Sequence, residues 1–161
     1  MELALKDSFT LLGEVMWIKT RDGVEVERSP WMKNTVLTSA NRGVQLFLDR
    51  LINITTYTGV VSHAELGDDN TAAVPSQTGL INPLVRTTVG AVSSSGVTRD
   101  FRFFFPDATT PDDTYYEFGM IIDGTGTIGT GVTFNRLVLG SPLVKATGES
   151  ITIVCRITGS V

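Results

Sequence analysis

Apolar residues recur along this chain with two periods. One short stretch spaces them helically, and most of the rest alternates with a period of two. From Ser39 to Leu51, the residues Ala40, Val44, Phe47, Leu48 and Leu51 share one side of a helix, and Arg42, Gln45, Asp49 and Arg50 fall mostly on the other. Thr38 or Ser39 is the expected N-cap, and the apolar stripe is expected to face a core. Before the helix, Leu11 to Thr20 reads as a strand that turns at Arg21-Asp22-Gly23. Val24 and Val26 then alternate with Glu25 and Glu27. Asp-Gly between two such runs signals a hairpin, because a type I′ turn needs positive φ at both central positions. Pro30 ends the return strand, and Trp31 to Leu37 forms a further short strand that leads into the helix.

Beyond the helix, Val60 to Leu66 alternates and stops at Gly67-Asp68-Asp69-Asn70. A long polar loop passes through Pro75 and Gly79 before Leu84 to Val92 resumes the strand pattern. Ser93 to Gly96 turns the chain into Val97 to Phe105, where Phe101, Phe103 and Phe105 share a face. Tyr115 to Asp123, Val132 to Leu139 and Ser150 to Thr158 complete the series. Seven to nine strands and a lone short α-helix predict a mainly β protein, specifically a jelly-roll-like β-sandwich with an N-terminal arm and hairpin. The expected organisation is a single globular domain, with residues 1–30 as arm and hairpin and 31–161 as the β-sandwich. The arm, residues 1 to about 12, is expected to pack against a neighbouring subunit through Leu3, Leu5, Phe9 and Leu11, apolar anchors at alternating spacing.

Composition narrows the function classes. A net charge of −4 argues against wholesale nucleic-acid binding, which demands a basic face. A hydrophobic share of 42% is too high for a disordered chain. The single cysteine, Cys155, excludes an intramolecular disulfide and a cysteine-based zinc site, and its alternating surroundings make it a small strand residue. No apolar run approaches the roughly 20 residues that span a bilayer, so no membrane partner is expected. The first residues lack the basic and apolar regions of a signal peptide, which points to synthesis in a cytoplasm.

Candidate chemistry is sparse. His63, the one histidine, sits in a strand pattern and reads as a hydrogen-bonded structural residue, with a general base or metal ligand as the alternative. Asp68 and Asp69, Asp112 and Asp113, Asp107 and Asp123 lie near turns, which they suit by bonding their own backbone; calcium coordination is the alternative. The glycines at 124, 126, 129 and 131 lead into a strand pattern rather than a helix, so they form a flexible turn and not a phosphate cradle. Tyr115 and Tyr116 must point to opposite faces of a strand, so only one can be core. The other, like Trp17 and Trp31, is a candidate for stacking on a sugar or a protein neighbour. No catalytic residue, metal ligand or cofactor is assigned. The candidate interface comprises Leu3, Leu5, Phe9, Leu11, Trp17, Trp31 and Tyr116.

Three stretches carry a family resemblance: Ala64-Glu65-Leu66-Gly67-Asp68 after the helix, Leu80 with Arg86, and Glu117-Phe118-Gly119 entering a turn. In this order they resemble small virion structural proteins of tailed bacteriophages, of the head-decoration, fibre and baseplate kind. Asp69 departs from that pattern by standing where a second glycine recurs. The resemblance implies a non-catalytic protein of the virion, assembled in the host cytoplasm. Its implied role is a head decoration (cement) protein, a homo-oligomer and specifically a trimer, bound between capsomers of the major capsid protein. A tail, baseplate or fibre component touching a receptor is the first alternative. A carbohydrate-binding module outside any virion, using Tyr116, Trp17 or Trp31, is the second.

Overall fold

The computed structural model describes residues 10–40 and 42–160. Among the described residues, ten strands and one α-helix follow in the order β1 (Thr10–Arg21), β2 (Val24–Arg28), β3 (Met32–Val36), α1 (Gly43–Leu51), β4 (Val61–Gly67), β5 (Pro83–Ser95), β6 (Thr98–Phe105), β7 (Thr114–Ile122), β8 (Val132–Thr133), β9 (Asn135–Val144) and β10 (Glu149–Ser160), with a 3-10 turn at Asp107–Thr109. Asp22 and Gly23 both adopt positive φ, 51° and 77°, as the type I′ hairpin requires.

The strands close into one ring rather than parting into two sheets. Eight of them form an antiparallel barrel in the order β1-β10-β6-β5-β4-β7-β9-β3 and back to β1. β1 makes the closure. One of its edges pairs with β10 along its whole length, from Thr10 with Ser160 to Arg21 with Glu149. The other edge is shared by β3, at Gly13 to Val15, and β2, at Ile18 to Arg21. Leu11 and Leu12 are paired residues of β1 rather than of a free arm, and β1, within the expected arm and hairpin of residues 1–30, is a stave of the barrel. Leu3, Leu5 and Phe9 lie outside the described residues.

Inward alternation fills the interior in layers. Antiparallel register sets Val15 beside Cys155 and Phe101, then Trp17 beside Ile153 and Phe103, then Lys19 beside Ile151 and Phe105. Phe118, Met120, Leu137 and Leu143 fill the opposite wall. A bulge between Tyr115 and Glu117 shifts the phase of β7, so Tyr115 enters the core while Glu117 turns outward. Tyr115 donates its hydroxyl to the Pro111 carbonyl at 2.7 Å, and burial pushes its pKa up to about 12, helped by Asp113 and Asp112.

The helix departs most from expectation. Its buried residues are Gly43 and Leu46, and Leu46 packs on Ile122 and Val132 across one end of the barrel. The stripe expected to face the core turns away from it: Leu48 is 51% and Leu51 69% exposed. The strands already fill the barrel interior, so the helix caps an end and contributes only the side that carries Leu46. Neither Thr38 nor Ser39 caps it. Arg42 is the N-cap, with no side-chain bond, and Ser39 donates to the Gln77 carbonyl at 2.7 Å instead.

Candidate functional site

The motif residues of the sequence meet on the outer face of β4, β5 and β7, in two buried ion pairs. Arg86 bonds Glu65 at 2.6 Å, and both side chains are almost wholly buried. The same guanidinium donates to the Thr125 carbonyl at 2.7 Å and the Thr130 hydroxyl at 2.9 Å, which pins the glycine-rich turn over the sheet. Arg136 bonds Glu117 at 2.7 Å with neither exposed. Glu117 also accepts the backbone N–H groups of Ile81 and Asn82 at 3.1 and 2.8 Å, and Arg136 donates to the Thr71 carbonyl and to Gln77 Oε1 at 2.8 and 3.1 Å. Together these bonds lash the polar loop between β4 and β5 to the barrel wall. A buried charge needs such full hydrogen-bonding to offset its desolvation.

Two glycines let the layers approach. A Cβ on Gly67 would stand 2.4 Å from the Asn82 carbonyl oxygen and 2.5 Å from Glu117 Oε1. One on Gly119 would stand 2.4 Å from Leu80 Cδ1. Leu80, Arg86, Glu117 and the two glycines are thus parts of one brace. Its charged groups are fully bonded, and Arg136, as wholly buried as Glu117, carries no signal in the sequence that sets it apart.

The carboxylates expected at turns are spent there. Asp69 accepts the Thr71 N–H, which lowers its pKa, and Asp68 accepts from Asn82 Nδ2 at 2.6 Å. Asp107 and Asp112 both hold the buried Lys145 ammonium, at 2.8 and 2.7 Å. Asp123 accepts the N–H and hydroxyl of Thr58. Among the described residues, no group of three or more His, Cys, Asp or Glu is placed to hold a metal ion.

His63 is 8% exposed, and its Nδ1 makes no hydrogen bond, contrary to the bonded histidine expected. Burial lowers its pKa, and the nearby Arg86 charge lowers it further. The folded protein therefore binds this proton more weakly than the unfolded chain does. Its contribution to stability is complete above the unfolded pKa of about 6.5 and declines as pH falls from there through the folded value. Replacing His63 by Phe should shrink the drop in urea midpoint between pH 7.5 and 5.5; an undiminished drop would assign that loss to other groups.

The aromatic candidates separate. Trp17 is 3% exposed and belongs to the core, which corrects its surface assignment. Trp31 is exposed, and the Arg156 guanidinium lies 4.4 Å from its ring centroid while bonding Asp100 in a two-point pair. One face of that indole is therefore already taken. Tyr116 is partly buried, opposite the fully buried Tyr115, as their adjacency requires.

Leu11 leads to the principal open feature, a groove of about 680 Å³ at the barrel end near α1. Leu11, Val97, Phe134, Ile157 and Phe47 form its mostly apolar walls, and Arg99 is the charged residue among them. Val97, at the β5–β6 tip, is 69% exposed. Together with Leu48 and Leu51, these residues give one end of the molecule its apolar character. No protein-family model, curated protein sequence or solved structure matches the chain. Among the described residues, no helix is long and apolar enough to cross a membrane.

Proposed function

We propose that this protein is a non-catalytic structural component of a tailed-phage virion, a head decoration protein that binds as a trimer between capsomers of the major capsid protein. The observation that carries this reading is the apolar end of the barrel. Soluble monomers rarely leave large apolar surface in water, and Phe47, Leu48, Leu51 and Val97, 42–69% exposed, stand on and beside the apolar groove, where another protein can sit. The brace on the outer wall fits the same role, because it ties the long loops to the barrel wall.

A jelly-roll ancestry belongs to this reading. The strand pairs are nested, β1 with β10, β3 with β9, β4 with β7 and β5 with β6, as in a chain doubled back and then wound. The stretch β4 to β7 is a Greek key, three hairpin-linked strands with the fourth returning beside the first. Jelly rolls are built from two such keys. A protein that binds only the assembled shell stabilises it by mass action, by about 2.7 kcal/mol per site at a hundredfold excess over Kd.

Immunogold labelling of purified particles from the source tests the reading. Label is expected over the head. Label confined to the tail would replace it with the tail or baseplate role, and unlabelled particles would remove the virion role altogether.

A further inference from the structure

The groove beside α1 opens at the end of the barrel where β1 begins. Thr10 pairs with Ser160 and Leu11 with Gly159, and Leu11, Gly159 and Ser160 all line the groove. Nine residues precede Thr10, and among them Leu3, Leu5 and Phe9 are large and apolar at odd positions, in phase with Leu11. A segment of nine residues reaches about 30 Å when extended.

We propose that this groove receives residues 1–9 of a neighbouring copy of the chain, with Leu3, Leu5 and Phe9 against its apolar walls and an acidic side chain facing Arg99. The inference rests on the oligomeric structural role proposed above and names the contact that builds the oligomer. Two observations select this occupant. The first is direction. Leu11 lines the groove beside Gly159, and Ile157, level with Gly13, lines it two residues further along β10. Continuing β1 in its own direction beyond Thr10 would carry a chain away from Ile157, and residues 1–9 contain neither glycine nor proline to favour a tight reversal. The second is charge. Arg99 donates to the carbonyls of Gly96 and Thr98 at 2.8 Å and makes no ion pair with a described carboxylate. The segment supplies the carboxylates of Glu2 and Asp7 on either side of the single cationic side chain, Lys6. A strand exchanged in this way around a ring closes a symmetric assembly through repeated identical contacts.

Disulfide trapping with the full chain tests the proposal. Leu5→Cys and Val97→Cys are made separately and together; the native Cys155 is fully buried, with its pKa pushed up to about 12 by burial, so the introduced thiols react first. Mixing the two single variants under mild oxidation should give a covalent heterodimer, and the double variant should give chains of linked copies. A disulfide found only within one chain would overturn the proposal, because the segment would then occupy its own groove. No disulfide between these positions in either arrangement would overturn it too. Deleting residues 1–9, which spares every paired residue of β1, should yield a folded monomer by circular dichroism and sedimentation. A deletion variant that keeps its oligomeric state counts equally against it. Arg99→Glu should weaken self-association roughly tenfold, and unchanged association would remove the acidic contact. All these readouts use the purified chain, so their failure leaves the particle-labelling result to stand separately.

Discussion

Replacing Arg136 by Ala should destabilise the protein by about 3–5 kcal/mol, the usual cost of leaving one member of a buried ion pair without its partner. The guanidinium lies wholly inside the structure, against Glu117, and holds the Thr71 carbonyl, Gln77 Oε1 and, at 3.5 Å, the Asp69 carboxylate in the loop after β4. Without it, the Glu117 carboxylate keeps only the N–H groups of Ile81 and Asn82 to balance a buried charge. Urea unfolding gives the magnitude. Amide exchange gives the location, since protection at Ile81 and Asn82 should fall further than at Phe103 or Ile153 in the core. A change below 1 kcal/mol would mean that water reaches Glu117 and that the brace is not closed. Glu117→Gln should also be destabilising, because it keeps acceptor oxygen for the loop but leaves the buried Arg136 with only the partly exposed Asp69 carboxylate, 3.5 Å away, as counter-charge.

Gly67→Ala should cost about 1–3 kcal/mol by overpacking, because its methyl group would press on the Asn82 carbonyl and on Glu117 itself. Gly126→Ala provides the contrast. A Cβ there meets nothing within 4 Å, so its effect should stay within about 0.5 kcal/mol. Gly67 and Arg136 both act on Glu117, so their effects should not add, and the double variant measures the coupling. Strict additivity would show that the glycine matters for its own backbone and not for the brace.

The local grammar of the chain was legible because it depends on near neighbours. The Asp22-Gly23 turn, the Phe101/Phe103/Phe105 face and the opposed Tyr115 and Tyr116 all follow from alternation and turn chemistry. What depends on distant partners was not legible. Closure into a barrel rests on β1 meeting β10, and nothing in either strand names the other. The outward turn of the helix stripe follows from how completely the strands fill the interior, a property of the whole core. Alternation alone put Tyr115 and Glu117 on the same face, and a bulge parted them. The brace lay half in view. Glu65, Gly67, Leu80, Arg86, Glu117 and Gly119 stood out through a resemblance, but only the fold shows that they touch. Arg136, in an ordinary strand pattern, has no feature in the sequence that marks it out.

The seam between β1 and β10 also sets an order on the making of the molecule. Arg21 and Glu149, at its nearer end, are 128 residues apart, and the rest of the seam joins still more distant positions. A ribosome has therefore delivered almost the whole described chain before β1 can find that partner. Until then β1 waits with a bare edge and with Val15 and Trp17 lacking the Cys155 and Ile153 beside which they finally lie. Pairings this remote fold slowly and leave strands open to the wrong neighbour. Chains translated close together on one message would share that interval, when an unfinished wall can accept a strand from next door as readily as its own.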